Sequence, residues 1–242
     1  MKTKIGRNML FNGDCLEILS TLIKPHCVDA VVTDPPYAIP TNAANGGRRQ
    51  NNELGPHQAD ASTKTVGDLS LIEFAFRGWF DKILRVLKPT GRVFVFCDAT
   101  SYPVIMRAAY GKFSSSRCLV WDKTYFGLGH EFRKQHELIF YARCSGAPIV
   151  QIKDQSDILR CKPIPPKLRL HPAQKPVELL ENLLRYCGPL VLDTFMGSGS
   201  TIEACMRTGH ASIGIEIEKR FYDAAVQRLN SFLEAKQKKA AL

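Results

Sequence analysis

Several patterns that would assign a common function are missing from this chain of 242 residues. Its eight cysteines form no Cys-x-x-Cys pair, and none lies at metal-ligand spacing from a histidine. We therefore predict neither a zinc site nor a disulfide framework. No apolar run is long enough to span a membrane, and no signal peptide precedes the first predicted strand. We expect a cytoplasmic protein with reduced thiols, no metal and no membrane contact.

Negative charge is also scarce, with 23 Asp and Glu against 33 Lys and Arg and a formal net charge of +10. Residues 101–170 hold twelve of the basic residues and only five of the acidic ones, so the surplus is segregated. A one-sided basic surface favours a polyanion such as a nucleic acid, although a basic protein without such a partner remains an alternative. The length and a hydrophobic content of 45% suit one α/β domain.

The segment most informative about chemistry is Asp34-Pro35-Pro36-Tyr37, which follows an apolar stretch at 28–33. That stretch predicts a buried strand, and two prolines can neither continue a ladder nor enter a helix interior. The chain must therefore turn, which brings an acid, carbonyl groups and an aromatic ring beyond the carboxyl end of a strand. Ligands bind at that position in α/β sheets. An ordinary turn with a surface aspartate is the alternative interpretation.

A second ligand pattern lies in the C-terminal third: a strand ending at Asp193, a glycine-rich loop, a helix, and a strand ending at Glu216. Glycines allow close backbone approach, and an acid about 20 residues further on binds ribose hydroxyls. The loop is not the dinucleotide fingerprint, because Ile202 stands where a third glycine is needed, and the chain has no Gly-Lys-Ser/Thr. An acid inside the loop favours a cationic ligand such as S-adenosylmethionine, which carries an ammonium and a sulfonium.

Four other segments are open to two interpretations each. Asp14 follows a predicted strand and precedes a predicted helix, so it is either an N-cap or a ligand contact. Residues 38–67 are almost without periodic apolar residues, which indicates a mobile lid or a disordered loop. Residues 124–134 interleave glycine, aromatic and basic residues between two predicted strands, which suits phosphates and an unstacked base or a plain hairpin loop. The aromatic residues of the helix predicted over 71–87 are interpreted as core rather than as a stacking platform.

In these motifs and their order the chain resembles the beta class of DNA amino-methyltransferases, in which the catalytic signature precedes the cofactor-binding half. The resemblance covers nearly the whole length. It implies a Rossmann-like S-adenosylmethionine-dependent methyltransferase fold with permuted motif order: a seven-stranded mixed sheet with helices on both faces. The N-terminal strand would lie beside the two strands of the C-terminal half. A single domain, 1–242, would comprise a catalytic half (1–144), a short recognition insert or linker (145–170) and a cofactor-binding half (171–242).

The resemblance also implies roles for individual residues, and Asp14 becomes a contact of the cofactor's adenine. The implied catalytic residues are Asp34, Pro35, Pro36 and Tyr37. The implied cofactor-binding residues are Asp14, Cys15, Asp34, His171, Lys175, Asp193, Thr194, Phe195, Gly197, Ser198, Gly199, Thr201 and Glu216. Contacts to DNA are expected from Arg48, Arg49, Lys123, Arg133 and Lys134. Ala173 stands where the family usually has Thr, and Ser200 where Thr is common, so the contribution of position 173 stays undefined.

The implied activity is methyl transfer from S-adenosylmethionine to the N6 amino group of adenine in double-stranded DNA, with the target base flipped out of the helix. An exocyclic amine is a poor nucleophile, because its lone pair is delocalised into the ring. The Asp34 carboxylate and the Pro35 carbonyl would each accept one amino hydrogen, and Tyr37 would stack on the base. Adenine is favoured because an acidic first position accompanies adenine more often than cytosine in this class.

Several alternatives stay open at this point. Cytosine-N4 methylation would use the same two acceptors, and an RNA or protein amino-methyltransferase would share the turn. A catalytically silent DNA-binding protein on the same fold is a third. Methylation of a cytosine carbon needs a thiolate, typically in Pro-Cys, and the chain has no Pro-Cys dipeptide. The target sequence, a restriction partner and the choice between monomer and homodimer are not specified by the residues.

Overall fold

The computed structural model describes residues 1–36, 69–127, 131–171 and 173–240. The lid predicted over 38–67 lies outside these ranges, as do three of the expected site residues, Tyr37, Arg48 and Arg49. Within the described ranges, no helix is long and apolar enough to cross a membrane. The same ranges contain no group of three or more His, Cys, Asp or Glu side chains placed to hold a metal ion.

The described residues form a single mixed sheet with helices on both faces. Its strands are β1 (Lys2–Ile5), β2 (Asn8–Asn12), β3 (Val28–Thr33), β4 (Leu87–Cys97), β5 (Ser115–Asp122), β6 (His136–Arg143), β7 (Ile158–Arg160), β8 (Leu190–Asp193) and β9 (Ala211–Glu216). Their spatial order is β1-β2-β9-β8-β3-β4-β6-β5-β7. The helices are α1 (Cys15–Thr21), α2 (Leu69–Val86), α3 (Ser101–Ala109), α4 (Val177–Leu184), α5 (Ser200–Thr208) and α6 (Lys219–Ala240), with a short 3-10 turn at Pro166–Leu168.

The centre of the sheet is the parallel pair β3 and β8, and the chain runs outward from it in opposite directions. Strand β3 leads through α2 to β4 on one side, whereas β8 leads through α5 to β9 on the other. Successive residues of a strand point to opposite faces, so Val31 packs with α1, α2 and α3 while Val32 packs with α4 and α5. The pair β3–β8 is thus a topological switch point, where α/β sheets leave a ligand crevice.

The α/β fold, the helices on both faces and the position of the N-terminal strand are confirmed. Strand β2 pairs in parallel with β9, which pairs with β8. The strand count was wrong: the described part of the sheet has nine strands instead of seven. The extra strands are short and lie at the two edges. Strand β1 forms a hairpin with β2, and β7 adds to β5 in parallel. Such brief edge segments show little periodicity, because three or four residues are too few to establish an alternation.

Three segments outside the centre of the sheet have a definite structure. Residues 145–170, predicted as a recognition insert or linker, contain β7 and the 3-10 turn. Pro89 and Gly91, which follow the helix predicted over 71–87, lie within β4, where Ala30 pairs with Arg92 two residues after Val28 pairs with Leu87. The extra residues of β4 therefore form a bulge, which accommodates a proline inside a strand. Helix α6 continues to Ala240. The division of the domain at 144 and 171 stays a prediction.

Candidate active site

The carboxyl ends of β2, β9, β8 and β3 meet at one edge of the sheet. This edge carries the acids that the sequence predicted as site residues. Asp14 follows β2, Asp34 follows β3, Asp193 ends β8 and Glu216 ends β9. The fold therefore brings together residues separated by up to two hundred positions along the chain, at the switch point where a ligand crevice is expected.

Asp34 is held by a lysine from the other half of the chain. The Nζ of Lys175 donates to Asp34 Oδ2 and lies 3.4 Å from Glu137 Oε2. Glu137 Oε1 in turn accepts from Lys123 Nζ at 2.6 Å. Two lysines and two carboxylates thus alternate beside the Asp34 turn. Opposite charges at such distances compensate one another within a partly buried site.

Lys175 is only 6% exposed, and its ammonium lies 5.1 Å from the centre of the Phe96 ring. Burial alone would lower the pKa of Lys175, but the carboxylates of Asp34 and Glu137 outweigh it and raise that pKa. Burial would raise the pKa of Glu137, yet Lys175 and Lys123 hold it below its usual value. Both shifts favour the charged forms, so the network is ionic at neutral pH.

The opening of the glycine loop is organised by Asp193, which is buried. Its Oδ1 accepts from the Thr33 hydroxyl at 2.7 Å and from the Phe195 amide at 3.1 Å, and the Thr201 hydroxyl is a further donor. These donors are neutral. Burial therefore dominates and raises the pKa of Asp193 to about 6, although the hydrogen bonds oppose it. Next to it, Thr194 Oγ1 lies 3.2 Å from the Thr33 hydroxyl.

The loop that follows depends on two glycines with left-handed backbone. Gly197 has φ +51° and Gly199 has φ +82°, values that a side chain would strain. Arg228 fixes the loop from behind, because its Nη1 donates to the Ser198 carbonyl and to the Ser200 hydroxyl at 3.2 Å each. The Gly199 position directly precedes α5, so the free N–H groups of that helix start at the loop.

Glu216 is tied to the same loop. Its Oε2 accepts from the Gly197 amide at 2.9 Å and its Oε1 from the Glu218 amide at 2.8 Å. Burial raises the pKa of Glu216, with these backbone donors opposing the shift. Asn12 closes the corner on the other side by donating to the backbone oxygens of Glu216 and Ile217 at 2.8 and 3.0 Å. The acid at the end of β9 is therefore oriented by main-chain contacts.

His171 covers the loop from the segment before α4. Its ring lies edge-on to Phe221 with 4.2 Å between centroids, and a Cβ at Gly197 would lie 3.6 Å from it. Its Nδ1 accepts from the Ala173 amide at 3.2 Å. Burial lowers the pKa of His171, while Asp34 raises it and Lys175 lowers it further. A neutral imidazole at neutral pH follows from that direction.

A cavity of about 420 Å³ opens beside the Asp34 turn, a size suited to a small organic ligand. It is lined by Asp14, Cys15, Leu16, Pro35, Pro36, Ile72, Ala75, Phe76, Trp79 and Phe195. The lining joins the double proline, the start of α1, one face of α2 and the glycine loop. Its walls are largely apolar and aromatic, with the indole of Trp79 at 6.3 Å from the Phe195 ring.

Asp14 is a helix N-cap, which is one of the two roles predicted for it. Its Oδ1 accepts from the amides of Leu16 and Glu17 at 2.8 and 3.0 Å, which makes it the N-cap of α1. It also lines the cavity, so a ligand contact through Oδ2 stays a prediction. Burial raises the pKa of the neighbouring Cys15 thiol to about 11, so this cysteine is not a thiolate nucleophile.

The basic residues expected to contact DNA occupy different environments. Lys123 is engaged with Glu137, and its ammonium lies 4.9 Å from the Trp121 ring. Arg133 stacks over Phe126 at 3.9 Å and donates to the Gly127 carbonyl, and Lys134 is exposed. Arg133 and Lys134 thus lie on the surface, whereas Lys123 belongs to the network around Lys175. Their contacts with DNA stay predictions.

Sequence reasoning missed four residues that build this site: Thr33, Trp79, Glu137 and Arg228. Trp79 was interpreted as core, and it is 4% exposed, but it also lines the cavity and donates to Thr194 Oγ1 at 3.3 Å. Thr33 directly precedes the Asp34 turn, which is a signal that could have been used. Glu137 and Arg228 lie on β6 and α6, far from either motif in sequence, and no local pattern identifies them.

A comparison with known families gives this geometry its context. The sequence profile of the N6/N4 DNA methylase family matches residues 28–227. This chain belongs to that family. The match includes the Asp34 turn, the Lys175 segment, the glycine loop and Glu216, which together form the crevice described above. The alternatives of an RNA or protein methyltransferase and of an unrelated basic protein lose their support.

Two full-length relatives are similar to the chain. YubD of Escherichia coli (strain K12), which is named as a methylase, is 29% identical over 238 residues, covering 95% of this chain and 93% of YubD. The type II methyltransferase M2.DpnII of Streptococcus pneumoniae is 26% identical over 250 residues, covering 93% of this chain and 91% of the relative. The methylase thus has relatives among restriction-modification enzymes.

Solved structures share its fold. The complex of M1.HpyAVI with S-adenosylmethionine aligns with a TM-score of 0.68 at 22% identity, covering 92% of this chain and 99% of the other. The PvuII DNA methyltransferase, which is cytosine-N4-specific, aligns with a TM-score of 0.69 at 17% identity, covering 90% and 85%. The family depends on S-adenosylmethionine, so the predicted cofactor is confirmed.

The residues at this edge also suit that cofactor chemically. Asp193 and Glu216 are buried acids whose hydrogen-bond donors among the described residues are neutral, so no cation in that part of the chain compensates their negative charge. A ligand with an ammonium and ribose hydroxyls supplies what these acids lack. The two left-handed glycines let the ligand approach the backbone closely.

Proposed function

We propose that this methylase transfers a methyl group to the N6 amino group of adenine in double-stranded DNA. The observation that carries the proposal is the position of Asp34, Pro35 and Pro36 at the carboxyl end of β3. Pro35 and Pro36 border the apolar cavity, and Asp34 lies between that cavity and the Lys175 network. An acid and a carbonyl next to an apolar cavity are suited to an exocyclic amine on a flat base.

The chemistry at this turn consists of accepting hydrogen bonds and orienting the amine. The Asp34 carboxylate and the Pro35 carbonyl would each accept one amino hydrogen, which aims the nitrogen lone pair away from the ring plane. Positive charge develops on that nitrogen during transfer, and a fixed carboxylate stabilises it most in the transition state. When bound, S-adenosylmethionine supplies an electrophilic methyl group. No covalent intermediate with the protein is required.

To accept a hydrogen bond from the amine, the Asp34 carboxylate would have to release Lys175 or bind both groups at once. In the structure one of its oxygens is engaged by Lys175, which orients the carboxylate. Glu137 offers Lys175 a second carboxylate at 3.4 Å. We infer that Lys175 shifts toward Glu137 when the amine binds, so that the buried ammonium always keeps an anionic partner. Cavity aromatics and Tyr37 would stack on the extruded base.

The cofactor would lie across the glycine loop. Asp193 and the loop backbone would receive its ammonium end, Glu216 would accept from its ribose hydroxyls, and Asp14 and Cys15 would border its adenine. His171 is neutral and packs on the loop, so it would shield the cofactor from water without adding a positive charge. These assignments come from the family resemblance and are supported by the way the fold gathers the same residues.

The base is assigned from the first residue of the signature. An acid at that position, here Asp34, accompanies adenine more often than cytosine in this class, so adenine is the proposed target. Mass spectrometry of nucleosides from DNA treated with the full-length enzyme tests it. We expect N6-methyladenosine as the main product. N4-methylcytidine without any N6-methyladenosine would overturn the base assignment and leave the roles of Asp34 and Pro35 standing.

Arg133 and Lys134 would contribute to the DNA face, since they lie on the exposed loop between β5 and β6 beside a fully exposed Phe132. Changing both to Gln should reduce the slope of log affinity against log salt by about 1 for each phosphate that is no longer neutralised. A fluorescence-anisotropy titration of duplex DNA at several salt concentrations measures that slope. Changing Lys219 and Arg220 to Gln is the matched control, since these two residues of α6 are paired with Asp223 and Glu218. A slope unchanged in the first variant would place the DNA elsewhere.

We further propose that the enzyme acts on cellular DNA in the bacterial cytoplasm, because the similar type II methyltransferases come from bacteria. Expression in a methylation-deficient bacterial strain, followed by sequencing of modified bases, would reveal the target sequence. Modification of the host chromosome at one recurring sequence is the expected result. Random or absent modification would contradict the proposal of a site-specific enzyme.

A further inference from the structure

A second cavity, of about 260 Å³, lies at the opposite end of the sheet from the candidate active site. Arg92 sits in the first half of β4, Ser115 begins β5 and Arg143 ends the antiparallel β6, so all three mark the same edge. The active-site edge is at Cys97, five residues further along β4. At 3.3 Å per residue, that places the two regions roughly 16 Å apart along one strand. The cavity belongs to neither the cofactor crevice nor the Asp34 turn.

Strand register places its polar side chains in two rows across β4, β6 and β5. Arg92 pairs with Arg143, which pairs with Ser115. In the next row on the same face, Phe94 pairs with Tyr141, which pairs with Arg117. Like charges directly opposite each other on neighbouring strands are destabilising. Arg92 beside Arg143 therefore needs a compensating interaction that pairing of the strands does not supply.

The described residues around the cavity do not provide that compensation. Among the residues lining it, the arginines at 92, 117 and 143 face a single carboxylate, the exposed Asp157. Arg143 donates to the Ser115 hydroxyl at 2.7 Å and to the Ala147 carbonyl at 3.3 Å, which are neutral acceptors. The site therefore has a surplus of two positive charges.

Arg92 is the most telling member of the group. It is 5% exposed, its Nη2 donates to the Pro148 carbonyl, and its Nε has no hydrogen-bond acceptor in the described part of the chain. Burying a cationic donor without an acceptor is costly. The guanidinium of Arg117, in contrast, is exposed and makes no hydrogen bond or ion pair with the described residues. Arg92 thus lines the cavity with a buried, unpaired Nε, and the accessible guanidinium of Arg117 borders the same space.

The other walls are aromatic and apolar. Phe94 and Tyr141 lie 4.9 Å apart between ring centroids at 36°, and Leu159, Leu183 and Tyr186 close the remaining sides. Burial raises the pKa of Tyr186, so its hydroxyl stays a neutral donor. Guanidinium groups beside aromatic rings, in a space smaller than most drug-sized sites, suit a compact anion with a small organic group.

We propose that this cavity binds a phosphoryl anion, either free phosphate or the phosphate group of a small ester. A phosphate ester carries a charge of about −1.5 to −2 at neutral pH, which matches the surplus of two, and it presents several acceptor oxygens to the arginine forks. A carboxylate would neutralise only half of the charge. On the proposed function, duplex DNA would contact the Asp34 turn and the loop between β5 and β6, at the opposite edge of the sheet, so its backbone is not the proposed occupant.

Isothermal titration calorimetry of the full chain at constant ionic strength tests this. The probes are inorganic phosphate, adenosine monophosphate and, as the uncharged control, adenosine, each titrated into protein already saturated with S-adenosylmethionine so that the cofactor crevice is filled. The variants are R117Q and R143Q, with R7Q as the control. Arg7 is an exposed arginine at the β1–β2 turn that donates to the Gly209 carbonyl at 3.1 Å, so R7Q removes the same charge outside the cavity. The exposed guanidinium of Arg117 has no hydrogen-bond or ion-pair partner among the described residues, and the backbone pairing of Arg117 with Tyr141 is kept in R117Q, so this variant should fold normally, and a thermal melt checks it.

Saturable binding of phosphate with one site is expected, weakened about tenfold or more in R117Q and unchanged in R7Q. Binding of adenosine monophosphate tenfold tighter than phosphate would identify an ester as the ligand, whereas equal affinity would identify free phosphate. No saturable heat with either anion, or an equal decrease in affinity in R117Q and R7Q, would overturn the proposal. Displacement of phosphate by stoichiometric duplex DNA would also overturn it, by showing that the cavity belongs to a DNA contact.

Discussion

The buried acids at the cofactor end and at the catalytic end of the crevice have different partners: neutral donors at the first and lysines at the second. At the cofactor end, the donors to Asp193 and Glu216 within the described part of the chain are hydroxyls and backbone amides, and burial raises the pKa of each. At the catalytic end, Asp34 and Glu137 share the ammonium of Lys175, and the pKa of Glu137 is lowered by its lysines despite burial. Asp193 ends β8 and Asp34 follows β3, so these two acids come from adjacent strands.

This contrast shows which end is prepared for a charged ligand. Neutral donors orient the acids of the cofactor end without neutralising them, so a cation gains the full electrostatic attraction on binding. At the catalytic end the charges are already compensated, so a neutral amine must displace an existing ion pair. We infer that the cofactor binds to a preformed site, whereas the base binds to one that rearranges.

The largest expected effect is on catalysis at the compensated end. Changing Asp34 to Ala should reduce methyl transfer by roughly a thousandfold or more, because it removes the anion that stabilises charge on the amine. Cofactor affinity should change little. Transfer of labelled methyl groups to duplex DNA measures the first, and calorimetry the second. Asp81→Asn is the control, since Asp81 is an exposed acid paired with Lys112. Methyl transfer by Asp34→Ala at close to the wild-type rate would contradict the proposed mechanism.

The next effect should be on stability. Lys175→Met leaves Asp34 and Glu137 without their shared cation, and breaking such a buried pair costs about 3–5 kcal/mol of unfolding free energy. The side chain of Lys175 is 7% exposed, and those of the two carboxylates 18% and 20%. Urea denaturation at neutral pH measures the decrease. The matched variant is Lys112→Met, whose partner Asp81 is 62% exposed, and it should cost under about 1 kcal/mol. An equal decrease in unfolding free energy in both variants would show that the Lys175 network contributes no more to stability than an exposed ion pair.

A smaller effect is expected at the cofactor end. Glu216→Ala should weaken S-adenosylmethionine binding by roughly 1.5–3 kcal/mol, the worth of hydrogen bonds to a charged group. The fold should survive, since the Asn12 side chain donates to the backbone oxygens of Glu216 and Ile217 and so holds the end of β9 without the Glu216 carboxylate. Calorimetric titration with the cofactor measures this loss of binding free energy. Glu218→Gln, which changes a neighbouring acid paired with Arg220, should leave affinity near wild type. An unchanged affinity in Glu216→Ala would count against the ribose assignment.

The smallest effect is a pH dependence of cofactor affinity. The pKa of Asp193 is raised to about 6, so the group gains its negative charge as pH rises through that value. The ionised form attracts the cofactor's ammonium, and affinity should therefore rise about tenfold between pH 5 and pH 7. Calorimetry across this range follows the step.

Two variants assign that step to its residue. Asp193→Asn should bind more weakly at pH 7 and lose the dependence, because an amide does not titrate in this range. Glu216→Gln should keep it. A step that persists in Asp193→Asn would show that another group controls the affinity.

Local pattern was sufficient for the central elements of the fold. The apolar run of β3 followed by two prolines, and the strand, glycine loop and acid of β8 to β9, were predicted with the right boundaries within a few residues. The edge strands β1 and β7 and the bulge at 88–91 were not. Each depends on a neighbouring strand whose position the sequence does not encode locally.

The chemistry of the two motifs can be read from the amino-acid sequence, because residue type and spacing along one strand and its following turn are local properties. The acids, the double proline, the glycines and the family were all identified in this way. The partners of these residues depend on the folded arrangement: Lys175 with Asp34, Trp79 with Thr194, Arg228 with the glycine loop, and Arg92 with Arg143. These pairs are far apart in sequence, and they meet because strand order and register, set by burial of the whole core, bring them together.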